Sequence, residues 1–189
     1  YLARDYDELK KIICNKIAFK DSLWFKTKEY LRQIKYKGYK RESFYRGKFI
    51  LQQFIPGLEN DWKVYYFGGK AFVFKRPVFP EREFRASGGG YENYKYGVEA
   101  DLPPGLLDFG WKIFKQFGVP HASLDIAWDS SGFYLLEFQC IYFGTAGILK
   151  QFSSNYFLRE GEVWTVRNNE GNIEKVYSES IIWFLSQEK

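Results

Sequence analysis

The chain has 189 residues, a formal net charge of +5 and an aromatic content of 21%. This length allows one domain, or two small lobes, with a substantial buried core. No apolar run is long enough to cross a membrane and no signal-peptide pattern opens the sequence, so we expect no membrane partner. The two cysteines cannot form a disulfide framework, which predicts reduced thiols and a cytoplasmic location. The positive charge favours an acidic ligand.

Two helices are predicted near the start of the chain. Residues 5–19 place apolar side chains at helical spacing, with Asp5 as the N-cap and Glu8 three residues later in the position of a capping box. A second helix is predicted to begin at Ser22 and to run as far as Ile34.

Residues 35–48 mix cations with aromatic side chains. Such a mixture can bind single-stranded nucleic acid, because Lys and Arg contact phosphates while aromatic rings stack on bases. No RNP, zinc or helix-turn-helix signature accompanies the segment, so a solvated basic loop is the preferred interpretation. A non-enzymatic nucleic-acid-binding module is kept as the alternative from a different functional class.

The next two segments have the composition of strands. The apolar run 49–57 predicts a buried strand that ends in a Pro-Gly turn. Residues 61–76 predict a hairpin with its turn at Gly68-Gly69. One interpretation of Lys63, Lys75 and Arg76 is that they are cations on the wet face of that hairpin.

A glycine-rich segment follows at residues 83–90. Its three consecutive glycines free backbone N–H groups for close approach to an anion. Arg85 can bind phosphate or carboxylate through two parallel hydrogen bonds. A flexible loop explains the glycines alone, but it explains their combination with Arg85 less well.

The stretch from Ser123 to Gln139 predicts a second hairpin, with Ser130-Ser131-Gly132 as its three-residue loop. In this register Asp125 faces Glu137, and Ser123 faces Gln139. Two opposed carboxylates repel each other unless a positive charge lies between them. Together with an amide oxygen they form a hard-oxygen ligand set that suits Mg²⁺, which shares its remaining positions with water and phosphate.

The same register predicts an apolar face for this hairpin, and its members belong on a core: Leu124, Ile126, Trp128, Tyr134, Leu136, Phe138 and Cys140. The simpler interpretation of the opposite face is a polar surface that contacts water, as in many half-buried hairpins. Helices are also predicted over 105–117 and 174–187, and a short strand over 161–167; we assign these elements to packing.

Part of this second hairpin resembles the metal-binding end of the ATP-grasp fold. The resemblance rests on Asp125-Ile126, on the run Leu136-Glu-Phe-Gln139, and on the Phe143-Gly144 turn that follows. It is nearest to the RimK-type carboxylate–amine ligases. The sequence departs from the family pattern at Gln139, where the family usually has Asn, and at Ser123, where many members have Arg.

Three earlier segments, 49–57, 61–76 and 83–90, resemble the hinge, a hairpin and an Arg-glycine segment of the same family in the expected order, so that the resemblance spans roughly residues 49–147. It implies an α+β fold, namely an ATP-grasp-like antiparallel sheet flanked by helices. It also implies one domain over 1–189, in which 1–56 belong to the N-terminal lobe and hinge and 57–189 form the C-terminal lobe. The family's lysine-bearing strand and Gly-rich lid would then precede Tyr1.

The function that the resemblance implies is an ATP- and Mg²⁺-dependent ligase, with Mn²⁺ as a possible substitute. It would activate a carboxylate as an acyl-phosphate for attack by an amine, and its partners would be ATP and small-molecule or peptide substrates. An ATP-grasp kinase that phosphorylates a hydroxyl is the alternative within the family. The identity of the substrate and the oligomeric state stay open.

The resemblance also assigns site residues. Three would bind the metal: Asp125, Glu137 and Gln139. Three would neutralise the phosphates: Arg85, Lys63 and Arg76. Five would hold the adenine and the ribose, through backbone groups of the hinge and one carboxylate: Gln52, Gln53, Phe54, Ile55 and Glu59.

Overall fold

The structure is a computed structural model that describes residues 1–17, 23–39, 50–78, 93–141 and 143–187. The chain divides into two compact units, Tyr1–Phe54 and Ile55–Lys189. Within the described residues no helix is long and apolar enough to cross a membrane.

The first unit contains two helices, α1 over Tyr6–Ile12 and α2 over Leu23–Lys35, and α1 continues into a π-helical turn over Ile13–Ile17. Both predicted helices are therefore present, although Ser22, the predicted start of the second, lies outside the described residues.

The predicted capping interaction at the start of α1 is confirmed. The carboxylate of Asp5 accepts a hydrogen bond from the backbone N–H of Glu8 at 2.8 Å. The carboxylate of Glu8 accepts a hydrogen bond from the backbone N–H of Arg4, the residue before the N-cap, at 2.9 Å. Two backbone donors at the helix start are thereby satisfied.

The strand predicted over 49–57 is not found in its described part, residues 50–57. Residues 50–55 have no strand assignment, and Ile50 is 88% exposed. An apolar run does not by itself specify a hydrogen-bonded neighbour, and a strand needs one. The predicted Pro56-Gly57 turn is present, and Gly57 has the positive φ of +73° that favours glycine.

The second unit is built on an antiparallel sheet of seven strands within the described residues. The strands are β1 Asn60–Phe67, β2 Lys70–Pro77, β3 Lys95–Tyr96, β4 His121–Asp129, β5 Gly132–Gln139, β6 Asn155–Glu160 and β7 Val163–Asn168. Their order is β5-β4-β1-β2-β6-β7, and β3 pairs with β2. The helices are α3 Leu106–Gln116 and α4 Ile173–Gln187. The predicted α+β class, with an antiparallel sheet flanked by helices, is confirmed.

Helix α3 covers one face of the sheet, where Tyr66 of β1 is fully buried. Its ring stacks on Phe114 of α3 at a centroid distance of 5.2 Å, and its hydroxyl donates to the carbonyl of Leu107 at 2.8 Å. Burial raises the pKa of the Tyr66 hydroxyl well above its usual range. The hydrogen bond satisfies a polar group that would otherwise be unpaired in the core.

The other face of the sheet carries an aromatic cluster from β1 and β2, with Phe143 packed against it: Tyr65, Phe67, Phe72, Phe74 and Phe143. His121, the single histidine of the chain, stacks on Phe67 at 5.4 Å. Burial lowers the pKa of His121, because desolvation disfavours the charged imidazolium.

Helix α4 packs at the turn between β1 and β2. Gly68 has a φ of +55°, and a Cβ built on it would lie 3.0 Å from the Cβ of Trp183 in α4. Glycine is therefore required both for the turn conformation and for the close approach of the helix. The predicted β1–β2 hairpin about Gly68-Gly69 is confirmed, with Phe67 paired to Lys70 across it.

The β4–β5 hairpin differs from its prediction near the turn. Asp129 pairs with Gly132, so the loop has two residues, Ser130 and Ser131, rather than three. The carboxylate of Asp129 accepts from the N–H groups of Ser131 and Gly132 and stabilises this tighter turn. A β-bulge beyond Asp125 then shifts the register by one residue, so that Asp125 still faces Glu137 as predicted.

The shorter turn moves the side chains of β5 between the turn and the bulge to the face opposite the predicted one. Two members of the predicted apolar face are fully buried: Leu124 and Ile126. Phe133 and Leu135 pack against the core in place of Tyr134, which is exposed together with Trp128 and Phe138. The prediction was wrong for these three side chains. The one-residue change in register accounts for Tyr134, because it moves the β5 residues between the turn and the bulge to the opposite face. Trp128 and Phe138 still pair on the predicted face, with Phe133 and Leu124, so the register change does not account for their exposure.

Strand β6 has no counterpart in the sequence-based prediction. It pairs with β2 through Ala71 and Phe157, and with β7 along its whole length. The predicted short strand at 161–167 corresponds to β7, the outer strand of this pair. Helices α3 and α4 agree with the predictions over 105–117 and 174–187.

The bulged register predicts unequal effects of two neighbouring substitutions in β5. Phe133 stacks on Phe109 of α3 at 5.3 Å, so Phe133→Ala should lower the free energy of unfolding by about 3 kcal/mol. Tyr134→Ala should lower it by about 1 kcal/mol or less, because that ring is exposed. Denaturant unfolding of both variants measures the difference. A larger loss for Tyr134→Ala would support the three-residue loop instead.

Candidate functional site

Four charged side chains meet on the sheet face that also carries the aromatic cluster. Asp61 and Lys63 lie on β1, Arg76 on β2 and Asp125 on β4, and we call these four residues the ion cluster. The register explains their meeting, because Asp61 pairs with Arg76 and Lys63 pairs with Asp125. Asp61 and Lys63 are alternate residues of β1, so their side chains lie on the same face of the sheet.

Arg76 joins the two carboxylates of the ion cluster. Its Nε donates to one oxygen of Asp61 at 2.6 Å, and one terminal guanidinium nitrogen donates to the other at 2.6 Å. The same terminal nitrogen lies 2.8 Å from Oδ2 of Asp125. Lys63 Nζ lies 2.9 Å from Oδ1 of Asp125. Each oxygen of Asp125 is therefore held by a different cation, and Arg76 binds Asp61 in the strong two-bond geometry.

The ion cluster is largely removed from water. Asp61 and Arg76 are each 5% exposed, and Asp125 is 8% exposed. Burial raises the pKa of Asp61, although the hydrogen bonds from Arg76 oppose this shift. Burial alone would lower the pKa of Arg76, but the hydrogen bonds and negative charges of Asp61 and Asp125 outweigh it and raise that pKa. Two positive and two negative charges balance within the cluster, as burial requires.

Glu137 lies directly beside the ion cluster, because it pairs with Asp125 across β4 and β5. Its side chain is exposed and accepts a hydrogen bond from the amide of Gln139 at 2.8 Å. Glu137 forms no ion pair with another described residue, so its negative charge is not balanced within that part of the chain. The ion cluster and Glu137 together carry three carboxylates and two cations, with the excess negative charge on the solvent side.

Ser123 contributes a further polar group to this face. It pairs with Tyr65 of β1 on one side and with Gln139 of β5 on the other. Its hydroxyl is fully buried and has no hydrogen-bond partner among the described residues. A buried hydroxyl without a partner is uncommon, and a ligand or water at this edge of the cluster would satisfy it.

The donor set of this face fits a hard divalent cation in part. Carboxylate oxygens of Asp125 and Glu137 and the amide oxygen of Gln139 are the ligand types that Mg²⁺ prefers, with water in its remaining positions. The described residues contain no group of three His, Cys, Asp or Glu side chains that could hold a metal. The arrangement therefore fits a cation that relies on two carboxylates and on further ligands from outside this set.

The other predicted site residues are distributed over the chain. Arg85 lies outside the described residues. Gln52, Gln53 and Phe54 are exposed residues of the first unit, and Ile55 is the first residue of the second.

Glu59 is the predicted ribose contact, and it lines a cleft of about 530 Å³ together with Trp62 and Lys75. Trp62 pairs with Lys75, and both alternate along their strands with residues of the ion cluster. Their side chains therefore lie on the opposite face of the sheet from Asp125. The structure brings together Lys63, Arg76, Asp125, Glu137 and Gln139, and it does not bring Glu59 to them.

Sequence reasoning assigned no role to Asp61, which is central to the cluster. A signal for it was present, because a hairpin that turns at Gly68-Gly69 must pair residue 61 with residue 76. A carboxylate directly opposite an arginine predicts an ion pair.

Comparison of the chain with protein-family models, with curated proteins and with solved structures finds no match. Function is therefore inferred from the geometry of this face and from the motif resemblance.

The ion cluster predicts a strong dependence of stability on Arg76. Arg76→Met leaves two buried carboxylates without their main counter-ion and should lower the free energy of unfolding by roughly 3–5 kcal/mol. Asp61→Asn in the same chain should recover part of the loss, because it removes one of the uncompensated charges. Denaturant unfolding of the single and double variants measures both effects.

A matched control for Arg76→Met is Arg167→Met, because Arg167 forms a pair with Glu160 in which both side chains are about half exposed. This substitution should lower the free energy of unfolding by about 1 kcal/mol or less. Equal losses for the two variants would mean that the ion cluster is open to solvent.

Proposed function

We propose that this chain is the C-terminal part of an ATP-grasp-like domain and acts as an ATP- and Mg²⁺-dependent ligase. The ligase would activate a carboxylate as an acyl-phosphate, which an amine then attacks. The observation that supports this proposal best is the direct pairing of Asp125 with Glu137 on a sheet face that also carries Lys63 and Arg76. Two adjacent carboxylates beside two cations suit a metal and the phosphates that it accompanies.

In this proposal Asp125 and Glu137 hold the metal, and Gln139 adds its amide oxygen after it turns away from Glu137. The bound cation would supply charge stabilisation for the phosphoryl group during transfer. Arg76 is 5% exposed and fully engaged with carboxylates, so its role is to position Asp125 rather than to contact phosphate. This role differs from the phosphate contact that the resemblance implies for Arg76.

Lys63 is the described cation best suited to contact phosphate. Its ammonium group has Asp125 as its one carboxylate partner among the described residues, and its side chain is 14% exposed. The low dielectric around the cluster strengthens each of these charge interactions. Arg85 would add a second phosphate contact.

The two cysteines of the chain are unpaired, which is consistent with a reduced, ATP-containing compartment. We therefore propose a cytoplasmic location for the activity.

The proposal predicts that Glu137→Gln keeps the fold and loses the activity. The side chain is exposed and keeps its shape, so the melting temperature should change little. Formation of acyl-phosphate should fall by roughly two orders of magnitude or more, because a metal ligand loses its charge. The assay incubates the full chain with ATP, Mg²⁺, a mixture of amino acids and dicarboxylic acids, and hydroxylamine, which traps acyl-phosphates as hydroxamates.

The control variant is Glu160→Gln, which changes an exposed glutamate of β6 that pairs with Arg167. It should leave hydroxamate formation at the wild-type level. Equal losses for Glu137→Gln and Glu160→Gln would contradict the site. Release of ADP without any hydroxamate would instead favour a kinase that phosphorylates a hydroxyl.

A further inference from the structure

The two cations that hold Asp125 differ in how firmly they are fixed. Arg76 is anchored by two hydrogen bonds to Asp61 in addition to its contact with Asp125. Lys63 has Asp125 as its one ion-pair partner among the described residues, and its side chain is 14% exposed. A lysine side chain also rotates about four bonds, whereas the arginine fork is held in one plane.

A divalent cation on Asp125 would change this balance. Its charge would lie next to the ammonium group of Lys63, which is 2.9 Å from Oδ1 of the same carboxylate. Like charges at this separation repel strongly where water is largely excluded. Arg76 cannot move away from Asp125, because its departure would leave the buried Asp61 without a counter-ion. Lys63 can move away from Asp125, because its departure leaves no other buried charge without a counter-ion.

We propose that Lys63 is a displaceable counter-ion of Asp125. It neutralises the carboxylate in the metal-free chain, and it moves to the phosphates of the nucleotide when the metal binds. This inference rests on the proposed function, because it needs the metal at Asp125. The ring of Tyr65, whose centroid lies 5.9 Å from Lys63 Nζ, provides a second surface for the ammonium group along that movement.

The proposal requires that Lys63 affects metal binding with opposite signs in two conditions. Without nucleotide, the metal must displace Lys63 from Asp125, so the lysine weakens binding. With nucleotide, the displaced ammonium group gains the phosphates, so the lysine strengthens the joint binding of metal and nucleotide. A residue that only stabilises the fold would not produce this reversal.

The test is calorimetric titration of Mn²⁺ into the full chain, with and without a non-hydrolysable ATP analogue. Lys63→Met should bind Mn²⁺ alone about fivefold or more tightly than the wild type, and should bind the Mn²⁺–analogue complex about fivefold or more weakly. Lys63→Arg keeps the charge and can hold Asp125 with two bonds, so it should not bind Mn²⁺ alone more tightly than the wild type.

The matched control is Lys75→Met, which removes a cation of the same hairpin from the opposite face, where Lys75 lies over the ring of Trp62. It should leave both affinities unchanged. Thermal melting of each variant confirms that the chain is folded, and Lys63→Arg supplies the comparison if Lys63→Met does not fold.

In one outcome the wild type binds the Mn²⁺–analogue complex while Lys63→Met shows no opposite changes in its two affinities. That result would overturn the displacement of Lys63 and would leave the proposed function intact. Failure of the wild type to bind that complex would overturn both proposals.

Discussion

A carboxylate removed from water must be neutralised, and this constraint on Asp125 organises the second unit of the structure. Its two oxygens are held by cations from two different strands, Lys63 of β1 and Arg76 of β2. Arg76 needs a second carboxylate to complete its own bonds, and Asp61 provides it. The register of three neighbouring strands and the charge balance of the face therefore depend on each other.

In the proposed function, the buried ion cluster and the exposed Glu137 would have different roles. Asp61 and Arg76 form a buried support whose exchange for apolar residues would be tolerated better than the loss of one member. Glu137 lies at the solvent side of the same row and has no ion-pair partner among the described residues. In the proposed function the exposed end of this row would accept the cation, while Arg76 and Asp61 stay paired.

Much of this arrangement was accessible from sequence, because glycine turns fix register. The turn at Gly68-Gly69 determines the partner of every residue in β1 and β2. The pairing of Asp125 with Glu137 was also predicted correctly, but for an incomplete reason: a two-residue turn and a bulge together give the same partners as a three-residue loop. Bulges depend on cross-strand packing, which single-strand patterns do not contain. For the same reason the apolar run at 50–55 did not become a strand, and β6 was missed.

In the proposed function, Asp125 of the ion cluster and the exposed Glu137 together hold a divalent cation. The most direct measurement is the anomalous diffraction signal of Mn²⁺ in crystals of the full chain grown with a non-hydrolysable ATP analogue. The account predicts an anomalous peak on the carboxylate oxygens of Asp125 and Glu137, with Arg76 still bound to Asp61. A peak at another position, with Lys63 still paired to Asp125, would contradict it.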